Sequence, residues 1–267
     1  PRRSPGLRRR PPISGHGISC RLLILGHPGT QDFNRFLLPF LDQAAQTRDR
    51  VETYFDRTAT QVWERLTSDA PVSKIRQTVR LGRDRMRAQM LARLPQDMRG
   101  LRVLDAGCGA GQMTAELAAR GAEVMAVDIS PALIEVARRR LPDALAPQVS
   151  FHAGDMLDAA LGRFDHVLAM DSLIYYTESD LARALDALAA RTTGTVIFTV
   201  APRTPLLMAM WRMGKLFPRA DRSPSMVPHS AKRLQRALRY AGSTATLRPL
   251  TRVTSGFYIS QAMEVHR

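Results

Sequence analysis

Asp105, Asp128 and Asp155 each follow a short apolar run in the middle of this 267-residue chain. The first heads DAGCGAG within LRVLDAGCGAG, residues 101–111, where Gly107, Gly109 and Gly111 alternate with small residues. Glycine has no Cβ, so a ligand can approach such a turn down to bare backbone. A helix opening near Ala110 would add unpaired N–H groups and a positive dipole end, which suits an anionic or carboxylate-bearing ligand. The dinucleotide fingerprint G-x-G-x-x-G would need glycine where Gln112 stands, so the turn here is of another kind. Asp128 follows residues 123–127, and an acid at the tip of a second strand can chelate two ribose hydroxyls. Beyond a third run, residues 149–152, Asp155 can accept from an adenine amine while Met156 covers the ring. Ile129, beside Asp128, and Met170, closing a fourth run, complete the candidate cofactor set. The chemistry on offer is the holding of an adenine nucleoside. A nucleotide-binding α/β domain of another kind is the alternative.

These acids need strands to end on and helices to follow. Residues 101–104, 123–127, 149–152, 164–170 and 194–200 read as strands, the last rich in β-branched residues. Residues 112–120 read as a helix, as do 130–141, with Ser130 as N-cap and Pro131 in the first turn. Residues 180–190 form another, with Ser179 as the expected cap. Upstream, residues 72–94 predict a helix with Ile75, Val79, Met86 and Met90 on one face. A helix over 230–241 and strands over 245–251 and 257–265 close the pattern. Alternating βα units ending in a hairpin predict an α/β fold: a mostly parallel, seven-stranded sheet with one antiparallel strand and helices on both faces.

Residues 202–228 interrupt that alternation with five prolines around LLMAMWRMGKLF, residues 206–217. A Met- and Trp-rich segment with cations suits a lid over a large flat substrate, or a surface helix touching a bilayer. Residues 1–46 are arginine- and proline-rich with no acid before Asp32. They read as a disordered basic extension, with translated sequence upstream of the true start as an alternative. Residues 47–98 form a helical arm, and residues 99–267 the nucleoside-binding domain.

The 39 Lys and Arg outnumber 24 Asp and Glu, for a formal charge of +15, and only Lys74, Lys215 and Lys232 are lysines. Such charge favours acidic ligands or anionic headgroups. RNA binding would need aromatics interleaved with cations on a strand face, and the sequence shows no such stripe; no nucleic acid partner is expected. Cys20 and Cys108 are far apart and read as reduced thiols of a cytoplasmic protein. No apolar run reaches the ~18 residues of a membrane span.

The glycine turn with acids at successive strand tips resembles the S-adenosylmethionine (SAM) site of class I SAM-dependent methyltransferases. A more specific resemblance covers about residues 48–267. VETYFDRTATQVWERLTSDAPVSKIRQTVRLGRDRMR at 51–87, MDSLIYY at 170–176, the insertion APRTPLLMAMWRMGKLFP, His229 and TSGFYIS at 254–260 resemble magnesium protoporphyrin IX O-methyltransferases. That resemblance implies the class I fold with an arm and a lid-like insertion. It also implies SAM as cosubstrate and methylation of one propionate of magnesium protoporphyrin IX, in bacteriochlorophyll or chlorophyll biosynthesis. The porphyrin-binding subunit of magnesium chelatase becomes a candidate partner, and the inner or photosynthetic membrane a candidate peripheral contact. Tyr54, Tyr175 and His229 become candidates for positioning the propionate, with no obligate base, and His229 a candidate ligand of the substrate magnesium. The family often carries His where this chain has Tyr175. Alternatives are a class I methyltransferase for another small apolar acid or quinone precursor, and a non-catalytic SAM- or RNA-binding module.

Overall fold

The computed structural model describes residues 73–205, 207–208 and 226–267. Tyr54, Cys20, the basic extension and most of the insertion lie outside the described residues. In chain order the elements are α1 (Lys74–Leu91), β1 (Arg102–Ala106), α2 (Gln112–Ala119), β2 (Glu123–Asp128), α3 (Pro131–Arg140) and β3 (Val149–Ala153). There follow β4 (His166–Ala169), α4 (Glu178–Ala190), β5 (Val196–Val200), α5 (Ala231–Tyr240), β6 (Thr246–Ser255) and β7 (Tyr258–His266). The strands form one sheet in the order β3-β2-β1-β4-β5-β7-β6. The first five pair in parallel, and β7 runs antiparallel to both β5 and β6.

A parallel sheet covered on both faces needs strands apolar on both sides. Here Leu104, Val167, Ala169, Val196 and Phe198 face one layer, built from Leu181, Leu185 and Leu188 of α4 and Leu234 and Leu238 of α5. Val103, Val124, Leu168 and Ile197 face the other, with Met86 and Met90 of α1 and Met113 and Leu117 of α2. Met86, Met90 and Leu91 of α1 are fully buried; at roughly 1.5–3 kcal/mol per large apolar side chain they dock that helix firmly.

Several element ends differ from the sequence expectation. The helix expected over 72–94 spans Lys74–Leu91, with Ser73 Oγ accepting from Arg76 N; Pro95 disfavours helical backbone at Leu94. The helix after the glycine turn starts at Gln112, as the 112–120 reading has it and two residues past the opening near Ala110, because Gly111 is left-handed and caps it. Thr177, not Ser179, caps α4: its hydroxyl accepts from Asp180 N. β4 is only four residues long, and Phe164 makes an isolated bridge to Thr192. The closing hairpin is longer than expected, because β6 continues past Pro249 through an irregularity between Pro249 and Arg252. Ser130 caps α3 as expected, its Oγ accepting from Leu133 N at 3.3 Å.

Candidate active site

Parallel strands all end on the same side of a sheet, so the loops after β1, β2, β3 and β4 converge. Gly107 follows β1 with φ +82°. A Cβ there would fall 2.2 Å from Ser172 Cβ, so the position admits only glycine. Gly107 and Cys108 both donate to the carbonyl of Val127, at 2.8 and 2.9 Å, which ties the turn to β2. At Gly109, also left-handed, a Cβ would meet nothing within 4 Å and would stand in open space. The missing side chain there keeps room for a ligand rather than relieving a clash.

Asp128, the last residue of β2, accepts from Gly109 N at 2.8 Å through one carboxylate oxygen and from Ser130 N at 3.0 Å through the other. These two bonds fix the carboxylate plane at the mouth of the turn. Gly154 N donates to the Asp128 carbonyl at 2.9 Å, and the next residue, Asp155, accepts from Leu157 N at 2.9 Å. One cavity is lined by Asp105, Gly107, Gly109, Asp128, Ile129, Asp155, Met156 and Met170, and also by Arg83, Arg87, Asp171, Ser172, Tyr175 and Tyr176. Strands lie about 4.8 Å apart, so the tips of β3 and β4 are roughly 14 Å apart. That span takes an extended nucleoside bearing an amino-acid tail. Acids at β2 and β3, open backbone at Gly109 and thioether cover from Met156 fit the nucleoside part.

Asp105 is 1% exposed and accepts from Thr114 Oγ1 at 2.6 Å, which bolts α2 onto β1. Burial raises its pKa to about 7, with the nearby Asp128 charge adding to the rise and the Thr114 bond opposing it. Burial likewise pushes the Cys108 thiol well up, with the Asp128 and Asp105 charges adding to it. Cys108 is a free, buried cysteine, a small filler of the turn rather than a thiolate nucleophile.

Known proteins resemble this chain in sequence and fold. A sequence-family model described as a methyltransferase domain matches residues 103–193. Another, described as magnesium-protoporphyrin IX methyltransferase C-terminus, matches residues 169–267. The magnesium-protoporphyrin O-methyltransferase of Rhodobacter capsulatus is 59% identical over 221 residues, covering 82% of this chain and 96% of the relative. The chloroplastic magnesium protoporphyrin IX methyltransferase of Arabidopsis thaliana is 31% identical over 224 residues, 81% of this chain and 70% of that one. The crystal structure of magnesium protoporphyrin IX methyltransferase from Synechocystis PCC 6803 with bound SAH superposes with a TM-score of 0.68 at 27% identity, covering 81% of this chain and 98% of that one. The chain belongs to the magnesium protoporphyrin O-methyltransferase family. Its fold is that of class I SAM-dependent methyltransferases.

In this family member the loop after β4 brings Tyr175 and Tyr176 to the cavity wall, beside Met170 and Ser172. His229 is elsewhere. It is 2% exposed, and its Nε2 lies 3.1 Å from the carbonyl oxygen of Tyr176. The imidazole sits behind the tyrosine loop rather than on the cavity wall. A carbonyl can only accept, so Nε2 carries the proton and is not presented to a substrate metal. Nδ1 is buried and has no hydrogen-bond partner among the described residues. Burial holds the His229 pKa below its ordinary value.

Sequence reasoning passed over Arg83, Arg87 and Ser172 and left Asp171 without a role. Asp171 has φ +57°, and it alone among described non-glycine residues has a positive φ. Its carboxylate gathers Arg83 Nη1 at 3.1 Å, the Tyr258 hydroxyl at 3.2 and 3.3 Å, and the Thr199 hydroxyl at 3.0 Å. Burial, aided by the Asp171 charge, pushes the Tyr258 phenol well up, so it donates and stays neutral. Gly82 lies flat on that ring: a Cβ there would fall 2.5 Å from Tyr258 Cδ1. An arginine at a helix surface gives no sequence signal of facing a site; the Gly82 notch beside it is the only local hint.

Proposed function

We propose that this chain transfers the methyl group of SAM to a propionate carboxylate of magnesium protoporphyrin IX, giving its monomethyl ester in bacteriochlorophyll or chlorophyll biosynthesis. One observation carries the reading. A single cavity joins the acids at the tips of β2 and β3 to the Tyr175–Tyr176 loop after β4, in a chain 59% identical to the Rhodobacter capsulatus enzyme. Asp105, Gly107, Gly109, Gly111, Asp128, Ile129, Asp155, Met156 and Met170 hold the cosubstrate. When bound, SAM supplies an electrophilic methyl on a sulfonium that departs as a neutral thioether.

The chain's own task is alignment. A carboxylate with an ordinary pKa near 4 is ionised at neutral pH, so no residue has to remove a proton. Tyr175 donates a hydrogen bond that orients the propionate without neutralising it, as a bidentate arginine clamp would. Tyr176 and Met170 keep water from the reacting oxygen. His229 acts through Tyr176, holding the carbonyl of that residue. Tyr54, in the arm of residues 47–98, joins Tyr175 as a positioning group.

The deciding experiment offers labelled SAM with magnesium protoporphyrin IX, or with metal-free protoporphyrin IX, to the full chain. Label in the ester of the magnesium compound alone is the expected result. SAM binding without transfer to either porphyrin would send the assignment to another acceptor acid.

We also propose a cytoplasmic protein in peripheral contact with the inner or photosynthetic membrane, receiving porphyrin from the porphyrin-binding subunit of magnesium chelatase. Among the described residues no helix is long and apolar enough to cross a membrane. Lys232, Arg236 and Arg239 project from the outer face of α5 beside Tyr240, a surface suited to an anionic partner. Failure to pellet with anionic vesicles at low salt would remove the membrane part of the proposal.

A further inference from the structure

The crossovers β1–β2, β2–β3 and β4–β5 each contain an α-helix, which bonds its own backbone. The β3–β4 crossover does not. Residues 154–165 hold only the 3-10 turn Ala159–Leu161, so their backbone groups must find partners elsewhere. Two arginines supply them. Arg102, at the start of β1, donates through Nη1 to the carbonyls of Leu161 at 3.1 Å and Arg163 at 2.7 Å. Arg191, the residue that closes α4, donates through Nη2 to the Met156 carbonyl and through Nη1 to the Asp158 carbonyl. Both guanidiniums lie over the ring of the buried Phe164, at 4.6 Å from its centre for Arg102 and 5.7 Å for Arg191.

The two arginines do different jobs. Arg102 grips the crossover where it runs down into β4. Arg191 grips it just past β3, where Asp155 and Met156 line the cavity. Arg191 itself stands behind that wall. One peptide unit carries its grip inward. The carbonyl of the Met156–Leu157 peptide is held by Arg191, and the N–H of the same peptide donates to Asp155 Oδ1 at 2.9 Å. A trans peptide is planar, with its carbonyl and N–H pointing in opposite directions, so fixing one aims the other. The main chain adds a second hold, because Phe164 N donates to the Arg191 carbonyl at 2.9 Å. Arg191 is thus tied to both ends of the crossover.

We infer that Arg191 is a positioning residue for adenine recognition: from behind the cavity wall it sets the Met156–Leu157 peptide, and through that peptide the Asp155 carboxylate that selects the 6-amino group of the cosubstrate. The inference rests on the reading of this cavity as the SAM site. The same bond places Met156, whose thioether covers the ring. α4 then does more than pack on the sheet. Its last residue reaches past Phe164 to hold the one crossover that has no α-helix of its own.

The test compares two ligands by calorimetry on the full chain: S-adenosylhomocysteine, and S-inosylhomocysteine, in which an oxygen replaces the 6-amino group. The amine donates to a carboxylate and the oxygen cannot, so the unaltered protein should prefer the adenine compound by roughly 10- to 100-fold. Arg191→Gln is expected to lose most of that preference, binding S-adenosylhomocysteine more weakly and S-inosylhomocysteine about as before. Arg191→Lys keeps the charge but lacks the planar fork that spans two carbonyls, so it should fold and recover part of the preference. Arg102→Gln, at the other end of the crossover, should lower Tm and leave the preference intact. Equal losses for both ligands in Arg191→Gln would mean that Arg191 only holds the crossover in place, and would overturn the inference. A loss of preference in Arg102→Gln as large as in Arg191→Gln would overturn it too. If the unaltered protein binds both compounds equally, Asp155 does not select the amine, and the inference fails while the SAM site stands. If it binds neither, it is the reading of the cavity as a SAM site that fails, and the assignment of Arg191 falls with it.

Discussion

His229 Nε2 and the carbonyl oxygen of Tyr176, 3.1 Å apart, join the far end of the insertion to the loop that carries both cavity tyrosines. The backbone reinforces this link. His229 N donates to the Ala201 carbonyl, Arg203 N donates to the His229 carbonyl, and Val227 N donates to the Ile174 carbonyl. The insertion leaves and rejoins the core at one knot, and His229 is its buried centre.

The knot makes stability depend on acid. Burial lowers the His229 pKa in the folded state, so below the ordinary histidine value of about 6.5 the unfolded chain binds a proton that the folded chain does not. Stability from this residue is unaffected above that pH and is lost as pH falls below it. His229→Gln should flatten the acid limb of a urea-midpoint profile between about pH 7 and pH 5. His229→Phe should cost roughly 1–3 kcal/mol at pH 7.5, because the Tyr176 carbonyl is left unpaired. A variant with an unchanged acid limb would show that another group sets it.

The two glycines of the turn predict opposite failures. Gly107→Ala puts a methyl 2.2 Å from Ser172 Cβ in a left-handed residue, so the turn itself must move. Reduced solubility or a large drop in Tm is expected. Gly109→Ala meets no neighbour within 4 Å and carries only left-handed strain, about 1–2 kcal/mol. It should fold, with a modest drop in Tm, and lose affinity for S-adenosylhomocysteine because the new methyl occupies ligand space. Thermal unfolding and calorimetry on both variants separate the cases, and tight binding by Gly109→Ala would contradict the close approach of the ligand there.

Much of this architecture was legible in the sequence, and the reasons are local. Ser130 and Pro131 announced α3 through side-chain capping and a fixed φ, and both act within one turn of their position. Asp105 and Asp128, near the ends of β1 and β2, and Asp155 beyond β3 were visible because each follows a short apolar run. Arg83 and Asp171 were not legible as a pair, because 88 positions separate them and only the β4 tip brings them together. His229 misled for the related reason that burial is a tertiary property. The resemblance offers it to the propionate and to the substrate magnesium, and here the returning strand-like contact to Pro202 encloses it. Thr177 rather than Ser179 caps α4 because the choice between two hydroxyls two residues apart depends on where the loop from β4 ends.

Tyr175 stands where the family often has histidine, and its test concerns protons. If the propionate needs no base, turnover should vary little between about pH 6 and pH 9, within which neither an ordinary carboxylate nor an ordinary phenol titrates. Tyr175→Phe should lower kcat by roughly 10-fold or more through lost orientation and leave S-adenosylhomocysteine affinity unchanged. Tyr175→His should restore part of the rate as a hydrogen-bond donor. A rate limb near the ordinary histidine pKa that persists in Asp105→Asn, whose cavity carboxyl otherwise titrates near 7, would instead require a basic group at the reacting oxygen.

Asp105 gives the last prediction, because its proton is linked both to folding and to ligand charge. Its folded pKa is raised to about 7, first by burial and then by the Asp128 charge. An unfolded aspartate titrates near 3.9, so between those values the folded chain holds a proton that the unfolded chain has lost. The contribution of Asp105 to stability is therefore fullest below about pH 4, declines as pH rises, and is lost once pH passes 7. Asp105→Asn keeps an acceptor for Thr114 Oγ1 and cannot ionise. Relative to the unaltered protein, that variant should gain stability on moving from pH 5 to pH 8. The same carboxyl lines the cavity, so a cationic ligand should favour its ionised form. Binding of SAM near pH 7 should release a fraction of a proton, and binding of S-adenosylhomocysteine, whose sulfur is neutral, should release less. Calorimetry in buffers of different ionisation enthalpy reads both numbers directly. Equal release for the two ligands, or release that survives in Asp105→Asn, would assign the proton to another group.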